Sequence, residues 1–139
     1  MTEPSDFNGK IIAEFRANGG KVGGPFAGAD ILLLHHTGAR SGTARVSPLT
    51  YLRAGDGFAI FASKAGAPEN PAWLHNLLAH PDTSVEVVTD TIDVTARVAE
   101  PAERDALWDR LKERAPHFAQ YELKAAPRTI PVIVLDPVK

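Results

Sequence analysis

Cysteine is absent from this 139-residue sequence. Disulfide bonds, thiolate metal sites and cysteine nucleophiles are therefore excluded, and the absence suits a reducing compartment. A strong excess of one charge is also lacking, since 15 basic and 17 acidic residues leave a formal net charge of −2. Proteins that bind duplex nucleic acid usually carry a basic excess over the whole domain, so we expect no nucleic-acid partner.

Long apolar runs are lacking too. No stretch is long enough to cross a membrane, and residues 1–8 are polar, unlike a secretory signal. We therefore expect a cytoplasmic protein. A helical stripe of Phe7, Ile11, Ile12 and Phe15 follows. Such a stripe usually packs on the protein's own core, and weak peripheral contact with the inner face of the cell membrane is the alternative.

The length fits a single domain with one core, spanning 1–139. Within this domain, residues 1–27 are expected to form an N-terminal helix and a glycine-rich segment that leads to the first strand. The apolar run within residues 30–37 predicts that this first strand is buried. Next, 46–52 and 58–62 flank an Asp-Gly step, which is typical of a β-hairpin.

Helices and further strands fill the second half. Asn70-Pro71 predicts a helix start, with Asn70 as the cap and an apolar stripe to about Ala79 that includes Leu78. Alternating residues then predict two strands around a turn at 89–91. A helix after Glu100-Pro101 and a strand over 130–135 complete the chain.

Grouped antiparallel strands with inserted helices argue against a doubly wound Rossmann sheet, which alternates strand and helix throughout. The pattern favours a mainly β fold with α-helices, of the α+β class: a small barrel of about six strands with covering helices.

Two connections carry candidate chemistry. The turn over 37–45 combines glycines, hydroxyls and two guanidiniums, a set that can bind an anion or form an ordinary solvated turn. The segment 61–71 leaves a strand and enters a helix N-terminus, and its small residues leave room for a flat ring. An ordinary strand-to-helix connection is the alternative.

Other chemistries find little support. His35 and His36 point to opposite faces of a strand, and His75 and His80 lie five apart on a helix, so we expect no metal site. No Gly-x-Ser-x-Gly sequence indicates a serine hydrolase. Tyr121 can hold a substrate or donate a proton, although a packed ring with a surface hydroxyl is the simpler interpretation.

A set of motifs follows in order from about Gly28 to Pro137. The motifs are Thr37-Gly38-Ala39-Arg40-Ser41-Gly42, Arg45-Val46-Ser47-Pro48-Leu49, Ala62-Ser63-Lys64, Asn70-Pro71-Ala72-Trp73 with Asn76-Leu77, and Arg128-Thr129-Ile130-Pro131. With its matching gaps, this set resembles one family, the deazaflavin-dependent nitroreductases of actinobacteria.

The resemblance implies a split β-barrel of the FMN-binding-like type that binds coenzyme F420, an 8-hydroxy-5-deazaflavin with an anionic tail. The implied tail contacts are Ala39, Arg40 and Ser41, with Arg45 nearby. The implied ring walls are Val46, Ser47, Pro48, Leu49 and Thr50 together with Phe61, Ala62, Ser63 and Lys64. The residues implied to close the site are Ala72, Trp73, Leu74, His75 and Asn76.

By the same resemblance, Tyr121 is the catalytic candidate, which positions the substrate or supplies a proton after hydride arrives. The implied activity is reduction of a small electrophilic acceptor such as a quinone, a nitro compound or an activated alkene. Two alternatives stay open: a non-catalytic protein that binds F420 or a related flavin, and an FMN-dependent reductase or oxidase. Two-fold pairing into a homodimer is expected on general grounds.

Overall fold

Six strands close into a barrel in the computed structural model, which describes residues 4–23 and 30–138, with side chains from residue 9 onward. The strands are β1 (Ile31–Thr37), β2 (Ala44–Ala54), β3 (Gly57–Phe61), β4 (Asp82–Val87), β5 (Asp90–Val98) and β6 (Val132–Pro137). The helices are α1 (Pro4–Ala17), α2 (Ala72–Ala79), α3 (Pro101–Arg114) and α4 (Phe118–Ala125), and a 3₁₀ turn spans Lys64–Gly66.

The strands pair antiparallel in the order β1-β2-β3-β6-β5-β4, and β4 returns to β1 to close the barrel. The mainly β fold with covering helices, a split β-barrel, is therefore confirmed. A closed sheet of this size is filled by its own side chains.

Alternation along β1 separates two apolar clusters. Leu32 and Leu34 point into the barrel and pack with Phe58 of β3, whereas Leu33 points outward. A third cluster lies between the sheet and α3 and α4, around Trp108, which is 1% exposed. The barrel is thus covered by helices on more than one side.

The β2–β3 hairpin forms where the sequence predicts it. Ala54 pairs with Gly57, which leaves Gly55 and Asp56 as a two-residue turn. Gly55 has a φ of +62°, a conformation that costs glycine little.

The β4–β5 turn lies earlier than predicted. Val87 pairs with Asp90, so the turn is Val88-Thr89, and Asp90 and Thr91 belong to β5. Val88 takes a φ of +56°, unusual for a β-branched residue. The prediction of a turn at 89–91 followed turn propensity, but the register of the two strands decides the position.

α1 packs on the outside of the barrel. Ile11 and Phe15 are buried, and Ile12 contacts the cluster of Phe15, Ile31 and Leu33. The described part of the apolar stripe therefore packs on the protein's own core, whereas the side chain of Phe7 lies outside the described residues. No helix within 4–23 or 30–138 has the length and apolar character needed to span a bilayer.

Two details of α2 differ from the sequence-based expectation. The residue at its N-cap is Pro71, and no side chain caps the helix; the Asn70 side-chain oxygen instead accepts a hydrogen bond from Arg128 at 2.6 Å. Leu78 is 57% exposed and lies outside the packed stripe. The sequence analysis also missed α4.

Candidate coenzyme-binding site

A groove of about 760 Å³ lies between the β1–β2 turn and α2. Its lining residues come from two of the segments that the sequence singled out: Gly38, Ala39, Arg40, Ser41 and Arg45 from the turn, and Ala72, His75 and Asn76 from α2. The fold thus places side by side two segments separated by about thirty residues in the sequence. The volume is in the range typical of small-molecule sites.

Hydrogen bonds within the turn give it a fixed shape. The Gly38 N–H donates to the Thr43 carbonyl at 2.9 Å, and the Gly42 N–H donates to the Gly38 carbonyl at 2.9 Å. The Ser41 hydroxyl accepts the Thr43 N–H at 3.2 Å. Gly42 has a φ of +70°, which explains why a glycine stands there. The result is a preformed corner rather than a loose loop.

Arg40 and Arg45 have no partner within the described residues. Each of the other arginines there contacts a carboxylate, a backbone carbonyl or an aromatic ring. Arg97, for example, donates to both Glu103 and Asp136. Both guanidiniums that face the groove are therefore available to an anionic ligand, for which arginine is well suited.

A series of buried hydrogen bonds connects the β1–β2 turn, α2 and β2 next to the groove. The Asn76 side-chain oxygen accepts the Ala39 N–H at 2.9 Å, and its nitrogen lies 2.9 Å from Nδ1 of His36. Nε2 of His36 is 2.9 Å from the Ser47 hydroxyl. His36 and Asn76 are only 6% and 7% exposed, so these hydrogen bonds offset the cost of burying polar groups.

His36 is held in its neutral form. Burial lowers the pKa of its imidazole to about 4, and the positive charge of Arg45 and the neighbouring His35 add to the effect. Sequence reasoning treated His36 only as a potential metal ligand and missed this role. The alternation within β1 that turns it inward was the available signal. Across 4–23 and 30–138, no three side chains of His, Asp or Glu group as metal ligands.

α2 divides the residues predicted to close the site. Ala72, His75 and Asn76 line the groove. Trp73 and Leu74 instead point into the barrel core, where they are 7% and 3% exposed. Their contribution to a ligand site stays a prediction, and it would have to come from the backbone.

The predicted ring walls lie beside this groove rather than in it. Along β2, Ser47 and Leu49 share the face of Leu34 and Leu32, their partners in β1, while Val46, Pro48 and Thr50 lie on the opposite face. Val46 packs against the cluster beneath α1. A strand can therefore offer only every second side chain to one ligand.

The second wall is largely buried. Phe61 packs against Trp108 with 6.1 Å between ring centroids, and Ala62 and Ser63 are 0% and 8% exposed. Lys64 is exposed and forms an ion pair with Glu69 at 3.4 Å. The assignment of 61–64 to a ring wall stays a prediction.

Arg128 organises this second segment and was not recognised as a functional residue from the sequence. Its guanidinium donates to the carbonyls of Ala62, Ser63 and Ala67, and to Asn70, at 2.6–3.1 Å. These groups surround the 3₁₀ turn, where Lys64, Ala65 and Gly66 all have positive φ. Such conformations persist only where the surroundings fix them.

Tyr121 lies on α4, outside the lining of the groove. Its ring stands nearly perpendicular to Phe118, with 5.1 Å between centroids, and contacts His117 at 5.5 Å. α4 packs on the 3₁₀ turn, since a Cβ on Gly66 would lie 3.0 Å from the Tyr121 carbonyl oxygen. The catalytic role of Tyr121 stays a prediction.

Residues 10–137 match the model of the family described as F420H(2)-dependent quinone reductase. The chain belongs to that family. An F420H(2)-dependent quinone reductase of Mycobacterium tuberculosis (strain H37Rv) is 40% identical over 127 residues, which cover 88% of this chain and 85% of that protein. The resemblance to deazaflavin-dependent enzymes drawn from the motifs is thus confirmed, and with it the prediction of an F420-dependent oxidoreductase.

Two solved structures agree with this membership of the F420H(2)-dependent quinone reductase family. The structure of an F420-H2 dependent reductase, FDR-A, has a TM-score of 0.70 and 37% identity, covering 77% of this chain and 94% of that one. A second structure, described as a domain-swapped dimer, has a TM-score of 0.72 and 33% identity, covering 96% of this chain and all of that one.

The groove fits the coenzyme that the family name implies. A ligand with an anionic tail needs unpaired donors at a preformed corner, and the guanidiniums of Arg40 and Arg45, which have no partner in the described part of the chain, provide them. The groove residues that would hold the tail are Arg40, Ser41 and Arg45.

Proposed function

We propose that this protein uses reduced coenzyme F420 to reduce a small electrophilic acceptor, with a quinone as the favoured substrate class. The observation that carries the proposal is the pair of guanidiniums, Arg40 and Arg45, that face one groove without a carboxylate partner in the described part of the chain. Family membership makes F420 the ligand to test first.

Two regions of the chain would then have separate roles, one in binding the coenzyme tail and the other in contacting the ring and the acceptor. Arg40 and Arg45 hold the anionic tail, and the preformed turn and α2 fix its direction. The deazaflavin supplies the hydride when bound. The segment around Ser63 and Lys64 borders the ring, and Tyr121, on the helix that packs against that segment, positions the acceptor or donates a proton.

A coenzyme titration followed by a turnover assay tests the proposal. F420 fluorescence should change saturably at micromolar protein, and reduced F420 should be oxidised faster with a quinone plus protein than with the quinone alone. Saturable binding without faster oxidation would indicate a non-catalytic binding protein. A purified protein that is yellow but does not bind F420 would indicate that FMN is the cofactor. Neither binding nor turnover with F420 would overturn the proposal.

Arg40→Ala tests the orientation of the tail. The variant should weaken F420 binding roughly tenfold, most strongly for long polyglutamate tails and at low salt, where charges are least screened. Arg110→Ala is the matched control, since Arg110 is exposed on α3 and, within the described residues, donates to the Arg53 carbonyl alone. An unchanged dissociation constant for Arg40→Ala would contradict the assigned orientation.

We also propose that the chain pairs as a homodimer. The support is the 33% identical structure described as a domain-swapped dimer, which covers 96% of this chain. Light scattering coupled to size-exclusion chromatography should give twice the monomer mass of 14.9 kDa. A monomer across the micromolar range would contradict pairing.

A further inference from the structure

The hydrogen bond between Ala39 and Asn76 fixes the orientation of a buried side-chain amide. A backbone N–H can only donate, so the Asn76 atom 2.9 Å from the Ala39 nitrogen must be the acceptor oxygen. The other end of the amide is then the NH₂ group. That group lies 2.9 Å from Nδ1 of His36.

The amide in turn fixes the tautomer of His36. Because the Asn76 NH₂ donates, Nδ1 of His36 must be the unprotonated acceptor. The proton of the neutral ring therefore lies on Nε2, which is 2.9 Å from the Ser47 oxygen. The imidazole donates to Ser47, and Ser47 accepts.

The Ser47 hydroxyl proton must then point away from His36. No other hydrogen-bond partner of this hydroxyl exists among the described residues, and the side chain is half-buried rather than sealed in the core. Ser47 lies on the same face of β2 as Arg45, which lines the groove two residues away.

We propose that His36 is a positioning residue that, as the Nε2–H tautomer, directs the Ser47 hydroxyl proton toward the space beside the groove, next to Arg45, as a donor to an acceptor oxygen of the bound coenzyme. The inference rests on the proposed function and adds to it a specificity contact. One continuous chain of donors and acceptors, from Ala39 through Asn76 and His36 to Ser47, links the turn to that contact.

The charges around His36 favour the same state. Arg45 on β2 and His35 on β1 disfavour a second proton on the ring, while α2 presents the neutral Asn76 to it. Burial acts in the same direction and holds the pKa of His36 near 4, so the ring stays neutral at physiological pH. A charged ring would place two donors against each other at Asn76.

NMR of the imidazole nitrogens tests the tautomer without any ligand. In the ¹⁵N-labelled full-length protein at neutral pH, His36 should show an unprotonated Nδ1 and a protonated Nε2. His36→Gln assigns the signals. A protonated Nδ1, or a doubly protonated ring, would overturn the inference.

F420 titration of variants tests the contact. Ser47→Ala should weaken binding roughly three- to tenfold. Ser84→Ala is the matched control, because Ser84 is a half-buried strand serine on β4, outside the groove. His36→Leu should weaken binding about as much as Ser47→Ala, and the double variant no more than either. His36→Gln, whose amide nitrogen can take the place of Nε2, should restore most of the affinity.

The outcomes separate this inference from the proposed function. A wild-type protein that does not bind F420 overturns both. A wild-type protein that binds, with Ser47→Ala equal to it, overturns only the role of Ser47. Additive losses in the double variant would show that His36 does not act through Ser47. A fall in the melting temperature of His36→Leu with unchanged affinity would show that His36 acts on stability alone.

Discussion

The guanidinium of Arg128, just before β6, donates to the side-chain oxygen of Asn70, just before α2, at 2.6 Å. The same group reaches the carbonyls of Ala62 and Ser63 at the end of β3. One side chain thus joins the exit of a strand to the entrance of a helix that lines the groove. The loop between them is held by this side chain in addition to its own hydrogen bonds, in which the Gly66 N–H donates to the Ser63 carbonyl and the Ala67 N–H to the Lys64 carbonyl.

Arg128→Ala should therefore destabilise the protein by about 2–4 kcal/mol, because several carbonyls lose a charged donor. Arg128→Lys should recover part of this loss, since one ammonium cannot reproduce the planar fork. Chemical denaturation gives the free energies of unfolding, and Arg110→Ala serves as the exposed control. Equal stability of the alanine variant and the wild type would show that the loop is fixed by other contacts.

Gly66→Ala should be more damaging than a typical glycine substitution. Gly66 has a φ of +83°, and an added Cβ would lie 2.9 Å from Cβ of Lys124. We expect a loss of about 2–4 kcal/mol, from backbone strain plus displacement of α4. Gly55 also has a positive φ, +62°, but open space surrounds the position of an added Cβ. Gly55→Ala should therefore lower the free energy of unfolding by only about 1 kcal/mol. Thermal unfolding compares the two, and equal losses would exclude close packing as the cause.

Glu86→Gln should loosen α1. The Glu86 carboxylate accepts from Arg16 at 2.6 Å and 3.0 Å and from His35 at 2.7 Å. The pKa of Glu86 is lowered to about 2. The hydrogen bond from Arg16 is the largest cause; burial opposes it by raising the pKa, and the hydrogen bond from His35 lowers the pKa further. The partners are partly solvated, so we expect a loss of about 1 kcal/mol at neutral pH.

The same carboxylate predicts an acid-dependent effect. A lowered pKa means that its stabilisation is present above the ordinary value of 4.5 and is lost as the pH falls toward about 2. The difference in unfolding free energy between wild type and Glu86→Gln should shrink across that window. Glu113→Gln is the control, because Glu113 is exposed on α3 and forms no ion pair within the described residues. A constant difference would contradict the assignment.

His36 predicts a second, less acidic pH range in which the stability of the protein changes. The unfolded chain binds a proton on this ring near pH 6.5, whereas the folded protein resists it until about pH 4. Stability should therefore fall as the pH falls between these values, by about 1–2 kcal/mol after allowance for solvent screening. His36→Gln should lack this part of the pH dependence. Parallel pH profiles for the two proteins would show that His36 is not held neutral.

Local patterns predicted much of the fold. Four apolar residues in sequence at 31–34 predicted β1, and the Asp-Gly step predicted the β2–β3 hairpin, because those signals depend on neighbours in the chain. The β4–β5 turn was misplaced because Thr-Asp-Thr suits a turn, while pairing of Val87 with Asp90 places it earlier. Register depends on both strands at once, so one strand's composition does not fix it.

α4 was missed although a signal existed. Phe118, Tyr121 and Ala125 recur at helical spacing, and the prolines at 116 and 127 bracket them, but the short run was treated as a connection. Its packing on the 3₁₀ turn makes it stable, and that contact is invisible in the sequence. Helices of this length depend on tertiary contacts rather than on intrinsic propensity.

The sequence indicated which segments would lie close together at the candidate site, but not which of their side chains face the groove. The turn at 38–45 and the first turns of α2, both singled out from the sequence, lie on either side of one groove, and their role in binding stays a prediction. The sequence did not reveal that Trp73 and Leu74 serve the core, since a functional helix and a packed helix share one apolar pattern. Arg128 and Asn70 are 58 residues apart, and only the fold brings them together.

The barrel closes through its shortest pairing, between β1 and β4. Only Leu33 and Leu34 of β1 are in register with Glu86 and Val85, whereas β1 and β2 pair along seven residues. Amide protons at this junction should exchange with solvent before those of the β1–β2 ladder, because fewer bonds must break to open it. Arg16 of α1 forms an ion pair with Glu86 of β4 at this junction, so α1 would help to hold the two strands together. Dissociation of α1 from Glu86 would then be the first step of barrel opening.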